Sequence, residues 1–222
     1  MRISQRLVTI GLFIHENSNV FDVGADHGLL EKYLIENHKV NSIVAVENKR
    51  GPYSILKNNL KNYDVQCILS DGINDLDEKT DTLVIAGMGG LLIERILKSH
   101  IDKLKSIKQI VVDAHRDQEI VRRTIVSLGF KIEKEQLLKE SNIYYNIISF
   151  VKGNAEYSLN EYEFGLNIKN DPLFKDYKTE MLVKMNLNLN QMKKSKNPSL
   201  ESITYLEERI KRLETLWTQL NC

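Results

Sequence analysis

The sequence predicts an α/β protein, a doubly wound parallel sheet followed by a helical hairpin. Apolar strand-type runs alternate with helix-type runs for five rounds between residues 19 and 128. Glycine or acidic residues stand at or just after the ends of the first four strands, where the loops of such sheets bind ligands. After Gly153 the strand patterns stop, and apolar residues recur at helical spacing. We therefore predict two domains, residues 1–153 and 154–222.

The composition excludes several classes of protein. With 42% hydrophobic and 27% charged residues, the 222-residue chain can bury a real core. Cys67 and Cys222 are too few for a disulfide framework and lack metal-ligand spacing, and the five histidines form no metal motif. No signal peptide or membrane span is evident. We expect a soluble, cytoplasmic protein without a metal.

The chain begins with a helix and a strand. Apolar residues spaced 4, 3 and 4 predict an amphipathic helix over residues 2–14, with Arg2 and Arg6 on its other side. The first strand is predicted from Asn19 to Val23. A net charge of only +1 does not by itself suggest a nucleic-acid partner, although a local basic patch can exist within a neutral total.

A glycine-containing turn follows the first strand and leads into a helix that ends near His38. Gly24 allows close backbone approach, and Gly28 allows the helix to pack on the strand. Such a turn leaves backbone N–H groups free at the start of the helix. The dinucleotide fingerprint would have a second glycine where Asp26 stands, so a positively charged ligand fits better than a pyrophosphate. A turn that binds no ligand is the alternative.

The second strand, residues 42–47, ends in Glu47. An acid about 20 residues beyond the glycine turn is where α/β nucleotide-binding proteins hold a ribose, and Glu47 stands 23 residues after Gly24. A solvent-facing strand end is the alternative. Pro52 suits the first turn of the helix that follows and that runs to Leu60.

The third and fourth strands, residues 65–69 and 81–86, are each followed by glycine. Asp71-Gly72 is either a plain turn or a site for an adenine ring. Gly87-Met88-Gly89-Gly90 allows a ligand or substrate very close to the backbone. A helix over residues 91–97, a fifth strand over 109–113 and a helix over 118–128 follow. Residues 131–138 and 144–151 then form an antiparallel hairpin at the sheet edge.

Two heptad seams characterise the last part of the chain. They predict an antiparallel coiled-coil hairpin, interrupted at residues 196–199 with Ser199 as a cap, and led in by a shorter helix around Asn160–Ile168. Residues 175–196 contain six lysines and two acids, a local charge of +4. This is either a solvated helix face or a contact for a phosphate backbone. The seam residues are Leu182, Met185, Leu189 and Met192, then Ile203, Leu206, Ile210, Leu213, Trp217 and Leu220.

With these motifs in view, the chain resembles the class I S-adenosylmethionine-dependent methyltransferases, and more narrowly the bacterial tRNA (adenine-22-N1)-methyltransferase family. The resemblance rests on residues 22–28, on Glu47 with residues 51–53, on residues 70–72 and on residues 85–90. It extends to the start at Arg6 and to the coiled-coil tail. Two stretches depart from the family: Gly28-Leu29-Leu30, and residues 113–116, where the family often has Gln-Pro-Asn.

The resemblance implies a Rossmann-like methyltransferase sheet, S-adenosyl-L-methionine as cofactor and tRNA as partner. It implies methyl transfer to N1 of an adenine, position 22 in the D-arm, with Asp26 as the candidate catalytic residue. Cofactor contacts are implied for the methionine part (Asp22, Gly24, Ala25, Asp26, His27), the ribose and adenine (Glu47, Asn48, Asp71, Gly72) and the methyl passage (Ala86, Gly87, Met88). Substrate contacts are predicted for Arg2, Arg6, Gly89, Gly90, Lys184, Lys193 and Lys194.

Two alternatives differ from this interpretation in the use of the tail. A class I methyltransferase acting on a small molecule or a protein would use the coiled coil for dimerisation. A non-catalytic module would bind a protein partner through it. We expect a monomer or a weak homodimer.

Overall fold

The computed structural model describes residues 3–166, 170–195 and 197–218. The chain divides into two compact units, Met1–Glu156 and Tyr157–Cys222. The boundary predicted after Gly153 lies just before this division. That the two units are separate functional domains stays a prediction.

The first unit alternates strands with helices. Its helices are α1 (Gln5–Phe13), α2 (Leu29–Glu36), α3 (Arg50–Asn59), α4 (Gly90–Ser99) and α5 (Gln118–Ser127), with a 3-10 helix at Ile101–Lys105. Its strands are β1 (Ser18–Val23), β2 (Val40–Glu47), β3 (Gln66–Leu69), β4 (Thr82–Met88), β5 (Gln109–Ala114), β6 (Phe130–Glu140) and β7 (Ile143–Lys152).

All seven strands form one sheet in the order β3-β2-β1-β4-β5-β7-β6. The strands β1 to β5 pair in parallel, whereas β7 is antiparallel to both β5 and β6. The chain runs outward from β1 to β3 and then crosses to β4 on the other side of β1. The carboxyl ends of β1 and β4 therefore flank the crevice in which such sheets bind ligands. The predicted doubly wound sheet with its closing hairpin is confirmed.

The central strands are buried because helices cover both faces of the sheet. Residues of β5 are buried along its whole length, and so is the first part of β4, as expected of parallel strands between helices. Helix α1 begins later than the sequence predicts, because the Ser4 hydroxyl accepts a hydrogen bond from the Leu7 N–H and caps the helix. Arg2 lies outside the described residues.

The second unit contains α6 (Leu159–Phe164), α7 (Phe174–Lys193) and α8 (Leu200–Thr218). A capping box between Ser158 and Glu161 starts α6, which is shorter than predicted. The heptad residues of α7 and α8 pack on one another, with Leu189, Ile203, Leu206 and Ile210 buried. A supercoil of the two helices stays a prediction. Ile168, Lys196, Leu220, Cys222 and the side chain of Trp217, all used in the sequence argument, lie outside the described parts.

Two classes of feature are absent from the described residues. None of the helices there is long and apolar enough to cross a membrane. Those residues also contain no group of three His, Cys, Asp or Glu side chains arranged to hold a metal ion.

Candidate active site

A cleft of about 550 Å³ opens at the carboxyl ends of the parallel strands. The loops after β1, β2, β3 and β4 form most of it, and α1, α3, α4 and the residue after β5 complete it. Its described lining consists of Arg6, Val23, Gly24, Asp26, Val46, Glu47, Asn48, Lys49, Pro52, Ser70, Asp71, Gly72, Ala86, Gly87, Met88, Leu92, Arg95, Ile96 and His115.

The loop after β1 is a tight turn whose first glycine faces Met88. Gly24 has a φ of +81°, and a Cβ atom there would lie 2.5 Å from the Met88 Cε atom. The N–H groups of Gly24 and Ala25 donate to the Val46 carbonyl at 2.8 and 3.0 Å. The loop is therefore tied to β2, and these two N–H groups are already used. The prediction of free N–H groups concerned the start of the helix, α2, which begins at Leu29. Asp26, in contrast, projects an exposed side chain into the cleft.

Acidic side chains line one side of the cleft. Glu47, at the end of β2, is almost buried, and its carboxylate accepts a hydrogen bond from the Lys49 N–H at 2.9 Å. Asp71 accepts from the Asn48 side chain at 3.1 Å. These bonds fix the two carboxylates beside each other at neighbouring strand ends. Together with Asp26 they make this side suited to a cation or to ribose hydroxyl groups.

Two buried carboxyl groups lie near the start of the glycine turn. Burial raises the pKa of Asp22, on β1, to about 6. Glu31, on α2, is completely buried and interacts with the Asp22 carboxyl group. Burial first, and then the charge of Asp22, raise the pKa of Glu31 well above its ordinary value.

The opposite side of the cleft carries an arginine, Arg6. The Arg6 Nε atom donates to the buried Asp113 carboxylate at 2.5 Å, and the Arg6 guanidinium lies 5.3 Å from the Tyr145 ring centre. Burial raises the pKa of Asp113 against the lowering effect of Arg6. A Cβ atom on Gly87 would lie 3.0 Å from Arg6 Nη2 and 3.9 Å from His115 Nε2. Arg6 and His115 thus converge on the backbone of Gly87.

Nine of the predicted cofactor residues line the cleft, as does Arg6 from the predicted substrate set. Asp22, Ala25 and His27 do not line it, and neither do Gly89 and Gly90, which lead into α4. The nine cofactor residues in the lining are Gly24, Asp26, Glu47, Asn48, Asp71, Gly72, Ala86, Gly87 and Met88.

The predicted substrate-binding lysines lie in the second unit. Lys184 pairs with Glu180 on its own helix, and Lys193 pairs with Glu207 on α8. Neither lysine is therefore a lone positive charge. Lys194 follows the end of α7 as its C-cap residue.

Sequence reasoning missed several lining residues, among them Lys49, Ser70, Arg95 and His115. Three of these residues stand one or two positions after a strand end: Lys49, Ser70 and His115. Counting every polar residue within two positions of a strand end as a candidate would have included them. Arg95 lies one helical turn inside α4 and gives no comparable signal.

A family model described as "Methyltransferase domain" matches residues 3–148. The tRNA (adenine(22)-N(1))-methyltransferase of Bacillus subtilis is 26% identical over 161 residues, which are 70% of this chain and 68% of that protein. A crystal structure from Streptococcus pneumoniae, of a protein proposed to be a tRNA (m1A22) methyltransferase, has a TM-score of 0.87 at 26% identity. It covers 97% of this chain and 99% of that one.

The same Streptococcus pneumoniae protein is also known in complex with S-adenosyl-L-methionine, with a TM-score of 0.86 at 26% identity over 97% of this chain and 99% of that one. The resemblance stated from the motifs is thereby confirmed. The match over residues 3–148 spans most of the first unit, including every strand end that lines the cleft. The chain belongs to the methyltransferase domain family of class I S-adenosylmethionine-dependent enzymes.

Proposed function

We propose that this protein transfers a methyl group from S-adenosyl-L-methionine to N1 of adenine 22 in tRNA. The observation that carries the proposal is the cleft, which has acidic residues on one side and Arg6 on the other. The chain is similar over 97% of its length to a protein proposed to perform this reaction. A cationic cofactor suits the first side and an anionic nucleotide suits the second.

The residues present fit the cofactor. Glu47 would take the ribose hydroxyl groups, Asp71 the adenine amino group, and the turn at Gly24 the methionine part. The absence of a side chain on Gly24 leaves the space between the turn and Met88 open, since a Cβ atom would contact the Met88 methyl group. When bound, S-adenosyl-L-methionine supplies an electrophilic methyl group carried by a sulfonium ion.

The protein's own part in the reaction is alignment and charge stabilisation. Gly87 and Met88 would let the adenine ring approach the backbone with its N1 lone pair directed at the methyl group. Methylation leaves the ring cationic. The Asp26 carboxylate, exposed in the cleft, would stabilise that charge or accept a proton from the exocyclic amine. His27 Nε2 lies 3.7 Å from its Oδ1 atom, and the Asp26 side chain stays 68% exposed.

The test is incubation of the protein with labelled S-adenosylmethionine and unmodified tRNA transcripts. Nucleoside mass spectrometry and reverse-transcription arrest would then identify and locate the product. We expect N1-methyladenosine at position 22. Measurable cofactor binding without transfer to tRNA would contradict the proposal and favour a small-molecule or protein substrate.

The remaining parts of the proposal concern partners and location. We infer that the protein acts in the cytoplasm, where tRNA is modified, as a monomer or weak homodimer. Lys184, Lys193 and Lys194 stay candidate tRNA contacts, but the ion pairs of the first two reduce the positive charge available there.

A further inference from the structure

Two leucines are exposed beside the cleft, at the first turn of α4. Leu91 is 58% exposed and Leu92 36% exposed, and Leu92 lines the cleft. The other apolar residues of this helix, Ile93, Ile96 and Leu97, are buried and anchor it to the sheet. Adjacent exposed leucines next to a ligand cleft indicate a surface that contacts a partner.

The first turn of α4 is held in place by the chain after β5. The Gly90 N–H donates to the Arg116 carbonyl at 3.0 Å. A Cβ atom on Gly90 would lie 2.5 Å from the Asp117 carbonyl oxygen, so the two backbones are in direct contact. The backbone that carries Leu91 is therefore held against the chain after β5.

Cations flank these leucines. Arg95 follows Leu91 by one helical turn, so both lie on the same helix face. Arg95 lines the cleft and makes no ion pair within the described parts of the chain. Arg116 has a side chain that is 80% exposed and lies 3.7 Å from the carboxylate of Asp117, and its Nε atom would be 3.1 Å from a Cβ atom on Gly89. The leucines thus stand between two exposed guanidinium groups.

This arrangement matches a requirement of the proposed reaction, on which the inference rests. Adenine N1 lies on the Watson–Crick edge, so the base must leave its stack before it can enter the cleft. Proteins that open stacked nucleic acid commonly insert an apolar side chain between neighbouring bases. We propose that Leu91 is such a wedge: it occupies the space vacated by adenine 22, while Arg95 and Arg116 bind the phosphates on either side.

The wedge is tested with Leu91→Ala in the full chain, using saturating S-adenosylmethionine and an unmodified tRNA transcript. We expect the single-turnover methylation rate at saturating tRNA to fall about tenfold, while the Kd for tRNA changes less than twofold. In a transcript with 2-aminopurine at position 22, the fluorescence rise on binding should shrink. Ile101→Ala removes an equally exposed apolar side chain from the 3-10 helix and should change neither quantity.

The arginines are tested by the salt dependence of tRNA binding. Arg95→Ala and Arg116→Ala should each weaken binding and reduce the slope of log Kd against log salt concentration by about one. Lys108→Ala is the control, because Lys108 precedes β5 at the opposite end of the sheet.

The outcomes separate the inference from the proposed function. If the wild-type protein methylates tRNA but Leu91→Ala matches it in rate and fluorescence, the wedge is wrong and the proposed function stands. If the salt slope is unchanged in both arginine variants, the proposed contacts of Arg95 and Arg116 with phosphates are wrong. A wild-type protein that transfers no methyl group to tRNA would overturn the proposed function and the wedge together.

Discussion

At the scale of single residues, two glycines near the cleft are required for different physical reasons. Gly24 has a left-handed φ of +81°, which costs an L-residue about 1–2 kcal/mol. Gly90 has no unusual backbone angle but touches the backbone of Asp117, so any side chain there would collide with atoms that cannot rotate away. The first requirement could be anticipated from a turn motif, whereas the second depends on a tertiary contact.

We therefore predict that Gly90→Ala is strongly destabilising, by about 2–4 kcal/mol, because α4 must move away from the chain after β5. Urea unfolding followed by circular dichroism would measure the loss. Gly51→Ala is the matched control: Gly51 is also in the first turn of a helix, and a Cβ atom there would meet nothing within 4 Å. Equal effects of the two substitutions would contradict the contact.

The buried carboxyl groups of Asp22 and Glu31 give a second prediction, a dependence of stability on pH. Their folded-state pKa values are raised above the ordinary values of 3.8 and 4.5. Between the ordinary and raised values the folded state binds more protons than the unfolded state, so the stability contribution is present at low pH and lost as pH rises. For Asp22 that loss lies between pH 3.8 and about pH 6, and for Glu31 it begins near pH 4.5 and extends upward to its raised pKa.

Glu31→Gln removes one of these protonation sites while keeping its size. We expect its free energy of unfolding, relative to wild type, to increase by roughly 1–3 kcal/mol between pH 5 and pH 8. Urea titrations across this range would measure the difference. Glu16→Gln, which changes an exposed carboxylate, is the control. A flat difference for Glu31→Gln would show that the buried pair does not titrate as inferred.

At the scale of elements, the order and type of the strands could be predicted because buried parallel strands are short apolar runs separated by helical patterns. Glu47 and Asp71 could be placed in the site because both stand at or just after strand ends on one edge of the sheet. The Arg6–Asp113 pair could not, since it joins positions 107 residues apart. The hydrogen bonds from Gly24 and Ala25 to Val46 could not be predicted from the sequence either, because they depend on how the turn packs against the neighbouring strand.

The helix pair α7–α8 depends on its apolar seam. Ile210 is 8% exposed and belongs to the cluster with Leu189, Ile203 and Leu206. We predict that Ile210→Ala destabilises this pair by about 2–3 kcal/mol through lost burial and a residual cavity. Hydrogen exchange measured by mass spectrometry should show faster exchange in peptides from α7 and α8. Lys211→Ala, at an exposed neighbouring position, should leave exchange unchanged; unchanged exchange in Ile210→Ala would argue against the seam.

At the scale of the whole molecule, the proposed division of labour assigns cofactor binding to one unit. All described residues that line the cleft belong to Met1–Glu156, and that unit contains the complete sheet with its own buried core. The second unit is held together by its own contacts, including the seam and the Arg212–Glu163 ion pair. Each unit thus has the internal contacts that an independently folding domain requires.

A chain ending at Glu156 should therefore fold and bind S-adenosylmethionine with an affinity within about threefold of the full chain, because the cleft is intact. Its tRNA affinity is predicted to fall about tenfold or more if the second unit contributes contacts to the RNA. Calorimetry with the cofactor and filter binding with tRNA measure the two quantities separately. Unchanged tRNA affinity would assign recognition to the arginines and leucines beside the cleft, whereas lost cofactor binding in a folded truncated chain would show that the first unit is not sufficient for the site.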